Sequence, residues 1–367
     1  MMLFINPPAG VNQEIPNIGL AYAATHFQTR VVDLNTRPRP AGRFLRHRAE
    51  VIGISVQSRT ISQARRIQSL YLKKHPSARV KSICGFLDIQ CCYPYLALGE
   101  KIEYTEPFSD LYPFPDYELF DSFPVFARRW RQGVWSYAIM TSQGCPFQCT
   151  YCMSRNRRWF TRSPENCFQE LKQARDRWGI KSFTVVDDCF NVDRNRVVEF
   201  CRLIGDLKLN WSCGNGLRAD RFDETVARAL VSSGCRHISF GIESIDPEVL
   251  KTVRKGETFE EIEKAALIAR KHFDSVNGFF IIGLPGSSYQ KDLAGLEWAR
   301  RIGINAHFSY YVPSEQTLQS DLVFYGKNAR PVSDAYSKKE QADLYRLTAA
   351  MRPGRINNWL ERLVKRS

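Results

Sequence analysis

Three cysteines fall within a few residues of one another in the stretch GCPFQCTYCMSR, residues 144–155. Cys145, Cys149 and Cys152 are spaced C-x3-C-x2-C. A chain that concentrates thiols in this way must fold so that one segment holds them together. Gly144 and Pro146 make that segment a loop able to curl round a ligand. The chain has 11 cysteines, an odd number, which argues against a disulfide framework and for metal binding or plain burial. Cys84, Cys91, Cys92, Cys167, Cys189, Cys201, Cys213 and Cys235 sit mostly in apolar surroundings and are expected to be small buried side chains. Zinc normally takes four ligands, often in C-x2-C pairs, and no matching second pair follows. Thiolates suit zinc, Cu(I) and iron–sulfur clusters alike. A [4Fe–4S] cluster usually takes four cysteines, so three would leave one iron open to an outside ligand. The plain alternative is three buried cysteines that share this spacing by chance.

The rest of the chain supports a large buried core. It has 367 residues, of which 44% are hydrophobic and 12% aromatic. No apolar run reaches the roughly 18 residues that a membrane-spanning helix needs. The opening MMLFINPPAGVNQEIPNIGLAYAATHF lacks a basic leader, and Asn6, Pro7 and Pro8 cut its apolar run. It is expected to fold as strand, turn and helix, which points to a cytoplasmic protein with reduced thiols. The net charge is +14, with basic clusters at 43–48, 127–132 and 155–159 and at the C-terminus. That field mildly favours an anionic small-molecule substrate. No nucleic-acid-binding motif accompanies it, so nucleic acid is not an expected partner.

The chain alternates strand and helix signals twice. Over the first ~85 residues, MLFINPP, RVVDLN, VIGISV and ARVKSICG read as strands between helical segments, the βαβ pattern of an open parallel sheet. Residues 86–134 are rich in Pro and aromatics and read as an extended linker. A second alternation begins near 135, with strands expected at 136–142, 182–188, 209–213, 236–244, 276–283 and 305–312. Thr258 followed by Glu261 predicts a capping box. Six β-α units suggest a partial parallel barrel, and ligands in such folds sit at the C-terminal strand ends. The cysteines follow the first of these strands.

C-x3-C-x2-C with an aromatic, Tyr151, just before the last cysteine resembles the signature of the radical SAM enzymes. The resemblance implies a [4Fe–4S] cluster on Cys145, Cys149 and Cys152, with S-adenosylmethionine chelated at the open iron. It also implies reductive cleavage of SAM to a 5′-deoxyadenosyl radical, with electrons from a donor such as flavodoxin or ferredoxin. It extends over roughly residues 135–312. FTVVDDCF resembles the second barrel strand and implies that Asp187 and Asp188 meet the SAM amino group. WSCGNGLRAD resembles the third and brings Asn215 and Arg218 toward the pocket. ISFGIES resembles the fourth, with Gly241, Glu243 and Ser244 near the SAM ribose or carboxylate. GFFIIGLPGSS resembles the fifth, where Gly278, Gly283 and Gly286 let backbone approach the adenine.

The order NPP…GLAYAA…VVDLN…VIGISV, then PFPDYELF, then the cysteines, resembles the subfamily with an N-terminal cobalamin-binding domain. This sequence departs from that subfamily after VIGISV. Only about thirteen residues separate Gly85 from Gly99, where a helix and a strand are expected, and no D-x-H-x-x-G occurs. The reading is therefore α/β: a small truncated Rossmann-like sheet over 1–100, an extended linker over 101–134, a partial (βα)6 TIM-like barrel over 135–312, and a loop and helical tail over 313–367. The leading functional expectation is hydrogen abstraction from an unactivated C–H bond of a small metabolite or natural product, leading to rearrangement, cyclisation or oxidation. A cobalamin-dependent radical SAM methyltransferase is the alternative, and a non-catalytic iron–sulfur protein the third reading. Phe308, Tyr310 and Tyr311, with Arg155, Arg157 and Arg158, are candidate substrate-pocket residues, although barrel packing explains the aromatics equally well.

Overall fold

The computed structural model describes residues 1–9, 16–36, 42–57, 60–84, 98–102, 108–152, 154–311 and 336–350. The chain divides into two compact units: Met1–Gln143 with Phe160–Thr184, and Gly144–Trp159 with Val185–Ser367.

The first unit holds five strands: β1 (Met2–Asn6), β2 (Val31–Asp33) and β3 (Val51–Val56), apolar runs that are almost wholly buried, and β4 (Arg79–Cys84) and β5 (Glu100–Lys101), which are more polar and partly exposed. They are parallel in the order β2-β1-β3-β4-β5. Every residue of VIGISV is buried, as parallel strands covered by helices require. Helix α1 (Ile18–His26) is capped by the Asn17 side chain, and α2 (Ile61–Lys74) buries Ile61, Ala64, Ile67 and Tyr71. A strand of two residues, β5, follows Gly99, with Lys81 and Ser82 of β4 in register with Glu100 and Lys101; residues 85–97, where the helix and strand were expected to be missing, lie outside the described residues. The CGFLDIQ loop lies outside the described residues beyond Cys84, as does the tail over 351–367.

The segment read as an extended linker contains helix α3 (Phe123–Arg131). The reason is aromatic packing. Tyr117, Phe126, Trp130, Tyr137 and Trp178 are buried together, with the Tyr117 and Trp130 rings 5.2 Å apart. Burying that many rings orders the backbone that carries them. Strand β6 (Tyr137–Ile139) and the short pair β7 (Ser142–Gln143) and β8 (Phe160–Thr161) follow. Helix α4 (Pro164–Trp178) runs from its Ser163 cap to Gly179, at φ +69°, and leads into β9 (Ser182–Val185), the sheet neighbour of β6.

The second unit continues the alternation: α5 (Arg194–Ile204), β10 (Asn210–Leu217), α6 (Glu224–Ser232), β11 (Cys235–Glu243), α7 (Pro247–Thr252), α8 (Phe259–His272), β12 (Val276–Ile282), α9 (Tyr289–Ile302), β13 (Asn305–Tyr310) and α10 (Lys338–Ala350). Strands β10 to β13 are parallel neighbours in chain order. All six strands expected in the second alternation are present, each within about four residues of its expected bounds. The Thr258 capping box on α8 forms as expected. Along β12 the pleat alternates: Gly278, Phe280 and Ile282 are buried under helices, and Asn277, Phe279 and Ile281 face the other way. Cys167, Cys189, Cys201, Cys213 and Cys235 are buried. Among the described residues no helix is long and apolar enough to cross a membrane.

One buried ion pair ties the first unit internally. Arg162 and Glu170 are 0% and 1% exposed and paired with each other. Arg162 also donates to the Tyr22 hydroxyl at 3.0 Å, and Tyr137 donates to Glu170 at 2.8 Å. Removing one partner strands the other charge in the core. Arg162→Met is expected to destabilise the protein by about 3–5 kcal/mol in urea unfolding, most of it recovered by the double variant Arg162→Met/Glu170→Met.

Candidate active site

The three thiols lie in the second unit, on the segment between β7 and β8. That segment has no regular secondary structure, so its shape is set by what grips it. Gly144 begins it at φ +84°; a Cβ there would lie 2.2 Å from the Arg158 carbonyl oxygen. Only glycine fits both the angle and the space. The loop folds onto itself through three backbone bonds. Cys152 N donates to Cys149 O (3.0 Å), Asn156 N to Phe147 O (2.7 Å), and Arg157 N to Cys145 O (2.8 Å).

Three other segments of the unit hold it. After β9, Asp188 accepts from Gly144 N at 2.9 Å and from the Ser154 hydroxyl at 2.7 Å, spanning both ends of the cysteine run. After α7, Val253 O accepts from Thr150 N at 2.9 Å, and Lys255 O lies 3.8 Å from the Cys149 sulfur. At the end of β10, the Arg218 guanidinium carbon sits 3.6 Å from the centre of the Phe147 ring. Arg218 also donates to Lys255 O and Gly256 O, both at 3.0 Å, and to Asp220 at 2.8 Å. Cation–ring contact and three hydrogen bonds make it the brace of the loop.

Beneath the loop lies a buried charge cluster that the sequence reading did not single out. Lys255 Nζ is 2.9 Å from Glu257, and both residues are buried. Glu257 in turn accepts from the backbone of Ala219 and Asp220. Burial opposes charge on Lys255, but Glu257 and Glu243 outweigh it and raise its pKa. Glu243 ends β11 at φ +67°, where the register with β12 slips. Such a bulge re-aims a side chain, and backbone in this region is strained for a residue with a Cβ. Burial pushes the Glu243 carboxyl up to about 7, against the opposing pull of Lys255. Tyr151 hydrogen-bonds to it. Gly241 leaves the necessary room, since a Cβ there would meet Glu243 at 2.9 Å and Lys255 at 3.4 Å. In the sequence, the charged run RKGE just before the Thr258 cap was the available signal; a charged run is more often a solvated face.

The thiols differ. Cys145 is lowered to about 7, chiefly by a hydrogen bond from Cys189. Cys152 is raised to about 11 by burial. Among the described residues no three His, Cys, Asp or Glu side chains converge on a point as a single ion needs. Three thiols on one curled loop, with Cys145 and Cys149 close enough to act on Cys152, suit an iron–sulfur cluster. Arg218 and Lys255 supply positive charge next to it. The residues present therefore fit a [4Fe–4S] cluster held by Cys145, Cys149 and Cys152.

The other expected residues fall into two groups. Glu243 and Ser244 border a small recess with Phe280, Asp292 and Phe308. Tyr151 packs with Ile281 and Tyr311. By contrast, Gly278 lies under the helices, where a Cβ would strike Ile242 at 2.7 Å. It shares a face with Phe240, its partner in β11, so the pleat turns it away from Gly241. Gly283 gives its N–H to Asp292 at 3.0 Å. Asn215 is exposed and donates to Asp187 O at 3.2 Å; Asp187 itself is buried. Tyr310 joins the cluster of Ile282, Leu296 and Tyr336. Arg155 and Arg158 are exposed, and Arg157 is half-buried.

A glycine-started thiol loop gripped from the C-terminal ends of parallel strands defines an iron–sulfur protein of the α/β class. Residues 139–299 match the Radical SAM superfamily. It is 32% identical over 210 residues to an uncharacterized methyltransferase of Pyrococcus horikoshii, covering 56% of this chain and 44% of that protein. It is 27% identical over 228 residues to the cytidylyl-2-hydroxyethylphosphonate methyltransferase of Streptomyces wedmorensis, covering 58% and 41%. The chain thus spans less than half the length of these two curated relatives. Its fold matches the radical S-adenosylmethionine methyltransferase TsrM from Kitasatospora setae, solved with cobalamin and a [4Fe–4S] cluster bound. That match has a TM-score of 0.68 at 18% identity, covering 93% of this chain and 84% of that one.

Gly144→Ala tests the loop directly. The forced backbone change costs on the order of 1–3 kcal/mol and falls on the loop alone. The variant is expected to keep the wild-type far-UV circular dichroism while losing most of its bound iron after anaerobic reconstitution. Iron content equal to wild type would contradict this account of the loop.

Proposed function

We propose that this chain is a cobalamin-dependent radical SAM methyltransferase acting on a small molecule. The observation that carries it is the fold likeness over 93% of the chain to a methyltransferase solved with both cobalamin and a cluster, joined to the named methyltransferases among its relatives. This moves the weight away from the leading sequence expectation of hydrogen abstraction with rearrangement, cyclisation or oxidation.

The first unit supports the reading. The order β2-β1-β3-β4-β5 puts a switch point between β1 and β3, where doubly wound sheets bind ligands beyond their strand ends. Asn6, Asn17 and Ser55 gather there. Asn17 donates to Ser55 at 3.1 Å and to Asn6 at 3.3 Å, and Asn6 donates to Asp33 at 2.8 Å. These amides and hydroxyls fit a polar, amide-bearing ligand such as cobalamin. The short β5 does not remove this point, because it lies at the far edge of the sheet.

When bound, the cluster supplies a single electron to SAM, and cobalamin supplies a methyl carrier. The work of the chain is positioning. Cys145, Cys149 and Cys152 would hold the cluster, Arg218 would keep Phe147 and the loop in place, and Lys255 would offset the negative charge of the thiolates. Glu243, held by Tyr151 and Lys255, and Ser244 are the candidates to orient SAM. The electron would come from a small donor such as flavodoxin or ferredoxin. The positive net charge suits an anionic substrate.

The test is a cofactor and product assay. The chain is purified anaerobically, its cluster rebuilt, hydroxocobalamin added and the excess removed. We expect corrin absorption near one equivalent beside the iron–sulfur shoulder, and S-adenosylhomocysteine on turnover with SAM and reductant. Retention of the cluster without corrin, with 5′-deoxyadenosine as the only SAM product, would overturn methylation in favour of hydrogen abstraction.

A further inference from the structure

The inner face of the second unit's sheet, the face turned away from the helices, is polar. On β12 it carries Asn277 and Phe279. On β13 it carries Asn305 and His307, their register partners. On β11, Ser239 pairs with Asn277 and Gly241 with Phe279, and His237 precedes Ser239 on the same face. Phe308 and Tyr310, the aromatics expected in a pocket, point the other way and pack with Ile282, Leu296 and Tyr336. Barrel interiors are ordinarily filled by branched apolar side chains. Here Asn277, Phe279, Asn305 and His307 are only half-buried. Beside Phe279 the floor is bare backbone, since a Cβ on Gly216 would lie 3.3 Å from Gly241 N and 3.5 Å from the Phe279 ring.

Most polar groups of this face serve one another. Asn305 donates to Ser275 at 3.0 Å and to Asn277 at 3.3 Å, and Asn277 donates to His237 Nε2 at 2.7 Å. His237 therefore accepts at Nε2 and carries its proton on Nδ1. Two groups are left over. Ser239 is 1% exposed, and its hydroxyl has no hydrogen-bond partner among the described residues; the same holds for the buried Nε2 of His307. Buried polar atoms are nearly always bonded, so two orphans on one face point to a ligand. Burial lowers the pKa of both imidazoles, which leaves them neutral. The Phe279 and His307 rings stand 5.9 Å apart at 65°, a corner that suits a third ring.

We propose that this inner face seats the substrate through an uncharged planar ring whose edge carries an O–H or N–H. Phe279 and the bare backbone of Gly216 and Gly241 give the apolar contact, and His307 and Ser239 give the polar one. An anionic group beside them would lose its water, while Lys255, over Gly241, is already paired with Glu257. Any negative charge on the substrate stays outside these rows. The inference rests on the methyltransferase reading for calling the ligand a substrate; the site itself stands on Ser239 and His307.

The experiment uses the full chain with its cluster rebuilt anaerobically, isotope-labelled at histidine Cε1 for NMR, with phenol as the probe. The His237 and His307 signals are assigned with His237→Gln and His307→Phe. Phenol is expected to shift the His307 signal saturably. Toluene, which lacks the hydroxyl, and benzoate, which carries charge, are expected to bind several-fold more weakly. Ser239→Ala and His307→Phe, read by saturation transfer to phenol, are each expected to weaken it several-fold at unchanged far-UV circular dichroism. Adenosine is expected not to displace phenol, because the candidates to orient SAM stand at the strand end. The proposal is overturned by the absence of a saturable shift, by benzoate binding as well as phenol, by both variants binding like wild type, or by displacement with adenosine. If phenol binds as expected and turnover gives no S-adenosylhomocysteine, the methyltransferase reading fails and the site stands. If S-adenosylhomocysteine forms and phenol does not bind, the site alone fails.

Discussion

The contact between the Arg218 guanidinium and the Phe147 ring is the constraint on which the site depends. A loop of three thiols has no hydrogen-bond ladder to stiffen it, and its entropy must be offset from outside. Arg218 does this from the end of β10, gripping Phe147 on one side and the carbonyls of Lys255 and Gly256 on the other. One side chain thus links a strand end, the thiol loop and the turn after α7. Its charge is held in place by Asp220 and raised in pKa, against burial, by Glu257 and Asp220.

Around that brace the unit assembles charges that would be costly alone. Lys255 and Glu257 are both buried, and Glu243 is added from a bulged strand end. A buried ion pair contributes little net stability, since desolvation consumes most of the attraction. What such a pair can contribute is placement. Here it puts an ammonium and two carboxylates at fixed points beside the thiols. The strained backbone of Glu243 is maintained because Gly241 yields space and Tyr151 and Lys255 hold the side chain.

Two residues show how far a motif-based expectation reaches. Asp188, expected near the SAM amino group, binds the loop with both carboxylate oxygens, at Gly144 and Ser154. Gly278, expected beside the adenine, has Ile242 and Ile304 where its Cβ would be. In both cases the residue type was apt for its position. The face, or the partner, was decided by which segments came together. The aromatic run before residue 135 shows the same thing at the level of an element. Its prolines suggested an extended path, but burying Tyr117, Phe126 and Trp130 around Trp178 made a helix of part of it.

The sequence by itself determined the βα alternation, the cysteine loop and its cluster chemistry, because period, caps and ligand spacing are local. Thr258 capped its helix as read, and the apolar run at 51–56 became a fully buried strand. Only the tertiary structure decided which side chains surround the thiols. Lys255 reaches the loop from a segment about a hundred residues away and Glu257 supports it from beneath, and each alone resembles an ordinary surface charge. The physical reason is that a pleat, a bulge or a turn a single residue long chooses the face of a side chain. That choice follows from pairing across the sheet, which no local pattern records.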